Sequence, residues 1–333
     1  MSDLSVLILS AGTRNKIVQF YRQILDGRGK VIACDCSAYA PALYDADEAV
    51  IMPRITEPDY MERVLEAVSL YHAAGCFSLI DPELMLLADN AGTFRELGCI
   101  PMISPPDLVY DSFHKARMCG RFARAGLSTP FFTTGLDSFE EALSDGRISF
   151  PVFVKPEDGS ASLGIMRADD KEELYAIARR YGKDPSSVIM IQEFMSGREY
   201  GADVYVDMLS GKCVSVFLKE KLRMRAGETD KSVSVHNDKV FDLISRFVES
   251  QGFRGQLDID LFEKDGEFFF SEINPRYGGG YPHAFYAGAD MPSMYIRNLE
   301  GKENPVRIGD YRDGVIMMKY NETRIIETAE LLR

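Results

Sequence analysis

The sequence predicts an α/β fold in more than one unit, a parallel α/β unit followed by a mixed α+β part, and three observations carry this. In the N-terminal third, short apolar runs alternate with turns and amphipathic stretches, the order that builds a parallel sheet. After Pro105-Pro106-Asp107 strands and helices follow without that regular alternation. Residues 255–280, GQLDIDLFEKDGEFFFSEINPRYGGG, alternate apolar and polar side chains on both sides of Lys264-Asp265-Gly266, as a hairpin does.

At 333 residues, 46% hydrophobic and 11% aromatic, the chain can bury two or three compact cores. A net charge of -13 and a pI near 4.9 exclude the broad basic surface that nucleic-acid or anionic-membrane binding needs, so basic residues must act locally. The six cysteines (34, 36, 76, 99, 119 and 213) contain no C-x-x-C pair and suggest neither a zinc ribbon nor a disulfide framework. The N-terminus reads as a strand and not as a signal peptide, so a reduced, cytoplasmic protein is expected. No apolar run reaches the ~18 residues of a membrane helix.

Taken in order, residues 5–9 are a buried-strand pattern, Ser10-Ala11-Gly12-Thr13-Arg14 a tight turn, and 16–25 an amphipathic helix. Strands at 30–35, 48–52, 76–80 and 99–104 and a helix at 60–73 complete a Rossmann-like unit. Its first turn lacks G-x-G-x-x-G, so phosphate binding there is unsupported. Asp81 and Glu83 follow the fourth strand, at the edge where such sheets bind ligands; a helix N-cap with a first-turn acid fits them equally well.

Residues 111–125 read as one helix, with Lys115, Arg117, Arg121 and Arg124 mostly solvated, followed by a strand at 131–134 and a helix at 139–143. Residues 150–156 deliver Lys155 at the end of an apolar strand, and 158–164 form a small loop whose N–H groups can wrap nucleotide phosphates beside it. The loop lacks G-K-[ST], and an ordinary hairpin loop stays open. The strand at 188–194 leads to a hinge that can read adenine through its backbone, and Glu199, six residues after Glu193, can accept ribose hydroxyls or be an edge-strand charge of the strand that restarts at 200–206. Beyond a strand at 213–218, Lys219, Lys221, Arg223 and Arg225 fit a solvated face or a seat for an anionic substrate. A helix at 238–250 precedes the hairpin; a helix at 291–299 and a strand at 314–320 follow it.

In the hairpin, alternation places Asp258 and Asp260 on one face and Leu257, Ile259 and Leu261 on the other; Phe268, Phe270, Glu272 and Asn274 share a face of the return strand. A turn centred on Asp265 sets Asp258 opposite Glu272, with Asp260 on the diagonal. Such crowded oxygen donors suit Mg2+ bound with substrate phosphates, a solvated hairpin being the plain alternative. Arg276 suits a phosphoryl group or a carboxylate, and Tyr277-Gly278-Gly279-Gly280 lets backbone approach a ligand closely. Among the four histidines only His283 lies near this chemistry, where a bystander role is open.

In this order, Lys115, Lys155, the 159–164 loop, the Glu193/Glu199 hinge, and Asp260, Glu272, Asn274 and Arg276 resemble the ATP-grasp superfamily over roughly residues 1–310. The segments EINPRYGGG and HKARM look most like single-module relatives of the carbamoyl-phosphate synthase large subunit, which include pyrrolysine-pathway and other amino-acid ligases. The resemblance implies a Rossmann-like pre-ATP-grasp domain (1–107), a small lid domain (108–195), a C-terminal ATP-grasp domain with the Mg2+ site (196–310) and an unassigned extension (311–333).

It further implies ATP binding by Lys115, Lys155, Gly159, Ser160, Ser162, Gly164, Glu193, Phe194, Met195 and Glu199. Two Mg2+ ions, with Mn2+ as a substitute, would sit on Asp260, Glu272 and Asn274, the family pattern ranking Asp260 ahead of Asp258 although the register argument brings Asp258 at least as close. Arg276, Lys155 and Asn274 would carry catalysis; substrate contacts are expected from Asp81, Glu83, Lys219, Arg225, Glu228, Gly278, Gly279 and His283. The expected activity is an ADP-forming carboxylate–amine ligase working through an acyl phosphate, on an amino acid or similar small carboxylate, with a homodimer open as the assembly. Three other readings compete: an ATP-binding sensor subunit, a carbamoyl-phosphate-synthase-like partial enzyme, and an NAD-dependent oxidoreductase. The second is disfavoured because that large subunit carries two such modules in tandem, and the third because the N-terminal unit lacks the glycines.

Overall fold

The computed structural model describes residues 4–157, 165–181, 189–225 and 227–332. In the N-terminal unit β1 (Val6–Leu9), α1 (Asn15–Leu25), β2 (Val31–Asp35), β3 (Glu48–Ile51), α2 (Tyr60–Leu70), β4 (Gly75–Ser78), α3 (Asp81–Asp89), α4 (Ala91–Glu96) and β5 (Ile100–Pro101) build a parallel sheet in the order β3-β2-β1-β4-β5. β1 is apolar throughout because both sheet faces are covered: Val6 and Ile8 pack with α1, Leu7 and Leu9 with α2 and α3. Asp81-Pro82-Glu83, read from sequence as a strand end, also opens α3, since proline is tolerated in a first helical turn.

The single helix expected at 111–125 is two, α5 (Pro106–Phe113) and α6 (Lys115–Arg124), separated by His114 in an extended conformation. Nor are its charges all solvated, since Arg117 and Arg121 both donate to buried Asp111. Burial works against that carboxylate, but the two guanidinium groups outweigh it and hold its pKa below the ordinary range. A four-stranded antiparallel sheet follows, built from β6 (Phe132–Thr134), α7 (Leu136–Ser144), β7 (Val152–Pro156), β8 (Met166–Ala168), α8 (Lys171–Ala178) and β9 (Ile189–Glu193) in the order β6-β9-β7-β8. Phe139, Val152, Val154, Leu174 and Ile191 form its core.

The remaining elements are β10 (Arg198–Val206), β11 (Cys213–Arg225), β12 (Glu228–Ser234), α9 (Asp238–Gln251), β13 (Gly255–Lys264), β14 (Glu267–Asn274), α10 (Pro282–Ala287), α11 (Met291–Leu299) and β15 (Ile316–Met318). Their strands make a six-stranded antiparallel sheet in the order β14-β13-β10-β11-β12-β15. One face is apolar, with Leu218, Val204, Leu257, Ile259 and Phe270 packed under Phe122 of α6 and Ile244 and Phe247 of α9. The other carries charge. β11 continues through Lys219 to Arg225, past the expected end at 218.

The hairpin register differs from the sequence expectation. Asp265 and Gly266 both take positive φ (55° and 79°), so the turn is centred between them, and a bulge follows in β14. Leu261 pairs with Phe270 but Asp260 with Glu272, leaving Ser271 as the extra residue. One inserted residue reverses the side-chain parity, so Phe268 and Phe270 join Leu257, Ile259 and Leu261 in the apolar core while Glu272 turns to the face of Asp260.

Aromatic side chains lock the parallel sheet to the rest. The hydroxyls of Tyr21 (α1) and Tyr277 are 2.9 Å apart, and Tyr295 (α11) accepts from the Cys76 N–H at 3.0 Å and donates to the Ile100 carbonyl. Gly75 admits that ring, since a Cβ there would lie 2.5 Å from the Tyr295 hydroxyl oxygen. All six cysteines are free, and no helix among the described residues is long and apolar enough to cross a membrane.

The bulge is testable through packing alone. Phe270→Ala, deleting a buried ring, is expected to cost about 3–5 kcal/mol. Phe269→Ala, on the opposite and half-buried side, should cost clearly less in the same denaturant titration, and equal losses would contradict this register.

Candidate functional site

The charged face of the six-stranded sheet is assembled by register. Asp203 (β10) lies beside Asp258 (β13), which lies opposite Asn274 (β14); one rung on, Gly201 lies beside Asp260, which lies opposite Glu272. The bulge thus corrects the expected pairing of Asp258 with Glu272. Gly201 leaves room for two lysines of β11: a Cβ there would stand 3.1 Å from Cε of both Lys219 and Lys221.

The expected solvated or anion-receiving row of cations therefore divides. Lys219, fully buried, donates to Asp203, and Lys221 reaches Asp260 at 2.7 Å and Glu199 at 2.9 Å. Burial opposes the Lys221 charge, but Asp260 and then Glu199 overcome it and raise its pKa above the usual lysine value. Arg223 and Arg225 stay exposed, the latter 3.2 Å from Asp230, outside this cluster. Asp258 is pushed up to about 7, first by burial and then by repulsion from Asp260 and Asp203, with Lys219 and Arg276 opposing. The acids do not close into one cage: among the described residues no three His, Cys, Asp or Glu side chains group as a metal site. Uncompensated carboxylates repel, and here Lys221 lies between two of them.

At the rim, Arg276 donates to Asp81 at 2.7 Å and to the Tyr277 carbonyl at 3.1 Å, and stands 3.7 Å from Asp258. Its Nε is buried with no partner. The glycine triplet lies directly on charged groups: a Cβ on Gly278 would meet the Asp258 carboxylate at 2.4–2.6 Å, one on Gly279 would meet Glu228 at 2.6 Å and Arg14 at 2.7 Å, and one on Gly280 would lie 3.2 Å from Lys219. Asp81 thus enters the site from the carboxyl edge of the parallel sheet.

Glu83 does not. It points into the parallel sheet, where Tyr60 and Ser78 donate to it, and burial pushes its pKa to about 8. His283 is also corrected: its ring nitrogens are spent on Ser232 at 2.8 Å and the Val315 carbonyl at 2.9 Å, and burial followed by nearby Lys219 lowers its pKa to about 4. Asp35, where a dinucleotide fold could hold ribose, instead accepts from the Gly12 and Ser37 N–H groups at 2.8 and 2.9 Å.

On the side of the four-stranded sheet, buried Lys155 donates to Gln192 at 2.6 Å. Burial lowers its pKa; Glu272 opposes the shift and Lys115, at the start of α6, adds to it, so these three charges lie within electrostatic reach. Glu193 accepts from the Phe131 N–H at 2.8 Å, which ties β9 to the strand beside it and leaves the following backbone as the candidate adenine edge. Phe194 packs on Phe153 at 5.4 Å beneath Arg167 at 4.8 Å, and Met195 is buried. Gly159, Ser160, Ser162 and Gly164 lie outside the described residues.

Sequence reasoning missed Lys221 as the partner of Asp260, Asp203 as the partner of Lys219, Gln192 under Lys155, and Arg14 and Lys319 on either side of Glu228. The one available signal was that Lys219 and Lys221, two apart on a strand, share a face.

Carboxylates on one face of the six-stranded sheet thus meet lysines on one flank and an arginine and a glycine loop on the other. The family model described as ATP-grasp domain matches residues 114–280, and the chain belongs to this family. A model described as PylC-like, N-terminal domain, matches residues 6–103. The carbamoyl phosphate synthase large chain of Clostridium beijerinckii is 28% identical over 172 residues, 48% of this chain, which spans 16% of that relative's length. The biotin carboxylase domain dimer of Hydrogenobacter thermophilus 2-oxoglutarate carboxylase, solved with MgADP, ADP and bicarbonate, superposes with a TM-score of 0.75 at 16% identity over 95% of this chain and 74% of that one. The L-amino acid ligase of Bacillus licheniformis gives 0.67 at 17% identity over 92% and 76%. At such identities these two structures establish the fold.

Glu83 supplies a pH test. Because its folded-state pKa lies near 8 and its ordinary value is 4.5, the native state keeps a proton that the unfolded chain loses across this window. The contribution of Glu83 to stability therefore falls as pH rises from about 4.5 to about 8. Glu83→Gln should flatten that part of the profile in urea titrations; a profile identical to that of the unaltered protein would refute the buried neutral acid.

Proposed function

We propose that this chain is an ADP-forming carboxylate–amine ligase that activates a small carboxylate as its acyl phosphate. The observation that carries the reading is the oxygen-donor face of Asp260 opposite Glu272, with Asp258 opposite Asn274, set between Lys155 and Arg276 in an ATP-grasp fold. The ligase and the MgADP-bound carboxylase among the structural neighbours support it.

The donor set fits a hard divalent cation: Asp260, Glu272 and Asn274 would hold Mg2+, as two ions or with Mn2+ in their place, and Asp258 is the adjoining carboxylate. The Lys221 ammonium against Asp260 indicates that this face accepts positive charge. Bound there, the metal would offset phosphate charge. Lys155 and Lys115 flank Glu272 and would bind ATP phosphates, with Glu193, Phe194 and Met195 at adenine and Glu199 at ribose, the last exchanging its bond from Lys221. The 159–164 loop belongs to the same proposal.

A substrate carboxylate oxygen attacks the γ-phosphorus, the bond to the β-phosphate oxygen breaks and ADP departs; an amine then attacks the acyl carbon and phosphate leaves. Arg276, held by Asp81 and with Nε unpartnered, would meet the transferring phosphoryl group and the carboxylate. Positioning and charge carry such transfer, and no protein nucleophile is needed. Cys119, the thiol near Lys155 and Glu272, is kept protonated mainly by burial and bonds the Ser271 carbonyl. Small-molecule carboxylates and amines are the partners of this reading. A homodimer is the assembly to test, since the Hydrogenobacter thermophilus carboxylase domain is a dimer.

ADP release measured with pairs of amino acids and other carboxylates and amines tests the function, and a panel without stimulation would favour an ATP-binding sensor. Glu272→Gln and Asp260→Asn should each reduce Mg-dependent turnover on the order of a thousandfold without altering circular dichroism. Unchanged turnover in Glu272→Gln would remove the metal assignment. Arg276→Ala should lose kcat much more than ATP affinity, because its contact matures in the transition state; equal losses would mark a simple binding contact.

A further inference from the structure

The C-terminal segment lies beyond both matched regions, yet it reaches the site. β15 adds to the edge of β12 with Lys231 opposite Met318, and the Lys319 N–H donates to the Asp230 carbonyl at 2.9 Å. This register brings Lys319 Nζ to 2.6 Å from Glu228 Oε2. The other oxygen, Oε1, lies 2.8 Å from Arg14 Nη2. Three distant parts of the chain thus meet in one row: the turn after β1, the first residue of β12, and the residue after β15.

The row abuts the proposed reaction centre. Gly279 lies against both Glu228 and Arg14, and the neighbouring Gly278 against Asp258. Burial lowers the Arg14 pKa, with Glu228 opposing and Arg276 adding to the fall, so the two guanidinium groups feel one another. For Glu228, burial is outweighed by Arg14 and then Lys319, and its carboxyl stays below the ordinary range. Each of the three side chains remains one-quarter to two-fifths exposed, so the row is open to a ligand. Arg276 beside it keeps a buried, unpartnered Nε.

A guanidinium paired with a carboxylate through both of its forks has little left to offer. Here Lys319 Nζ takes Glu228 Oε2 while Arg14 Nη2 approaches Oε1, so two cations share the one carboxylate. We propose that Lys319 and Glu228 form a relay that positions Arg14 next to Arg276 to grip a carboxylate group of the small-molecule substrate, making Lys319 a positioning residue supplied by the C-terminal strand. This rests on the ligase reading of the site.

The test is calorimetric titration of L-alanine, L-glutamate and glutarate into the full chain with Mg2+ and a non-hydrolysable ATP analogue. At least one should bind, and Lys319→Met should weaken it about tenfold, the loss of one charge-assisted contact, while leaving affinity for the nucleotide within about twofold. Lys319→Arg should restore binding, which a merely structural role of the strand would not predict, and thermal melts of both variants check the fold. Wild-type carboxylate affinity in Lys319→Met, equal loss of nucleotide and carboxylate affinity, or no binding of any of the three to the unaltered protein would each overturn the proposal. If a carboxylate binds through Lys319 and no amine elicits ADP, the subsite stands and the ligase reading fails.

Discussion

The rest of the site depends on a charge balance across one face of the antiparallel sheet. Glu199, Asp203, Asp258, Asp260 and Glu272 crowd this face, and removing such groups from water while they repel one another would cost more than a domain can spare. Two buried ammonium groups make it tolerable: Lys219 on Asp203, and Lys221 between Asp260 and Glu199. Both pass over Gly201, where a Cβ would stand 3.1 Å from each lysine Cε. The compensation is incomplete at Asp258, whose pKa is raised first by burial and then by repulsion from Asp260 and Asp203. A site left short of positive charge is suited to metal and phosphate chemistry, in which cations and anions arrive together.

The parallel sheet contributes by delivering two side chains at its carboxyl edge. Arg14 follows β1 and Asp81 follows β4, and both meet the glycine segment after β14, Arg14 at Gly279 and Asp81 through Arg276. That meeting needs the two units held in register, which the Tyr21, Tyr277 and Tyr295 hydroxyls do inside an aromatic seam. The glycines are required by contact: side chains at Gly278 or Gly279 would displace the carboxylates beneath. A dinucleotide fold uses this same edge for its cofactor, whereas here Asp35 braces the Gly12 turn from which Arg14 projects.

Much of this was legible in the sequence wherever a local period decides the outcome. Alternation in LDIDLF set Asp258 and Asp260 on one face, apolar runs marked the parallel strands, and the apolar strand at 150–156 emerges as β7 with Lys155 near its end. The helix at 291–299 emerges with those bounds, because its apolar residues repeat with helical spacing between an Asp290 cap and Gly301. Glu272, Asn274 and Arg276 were likewise evident as a spaced group, whereas Glu83 and His283, offered only as substrate contacts with a helix-end or bystander role left open, make internal hydrogen bonds.

What tertiary structure alone decided is pairing between distant strands. The bulge at Ser271 depends on Phe268 and Phe270 reaching the same core as Ile273, a three-dimensional packing condition that no alternation rule contains. Lys221 finds Asp260 across an intervening strand, and Lys319 finds Glu228 from ninety-one positions away, so neither partner is marked by local spacing. Local sequence sets which way a side chain points relative to its own backbone; which charge it then faces is set by the neighbouring strand, and that neighbour is chosen by burial over the whole sheet.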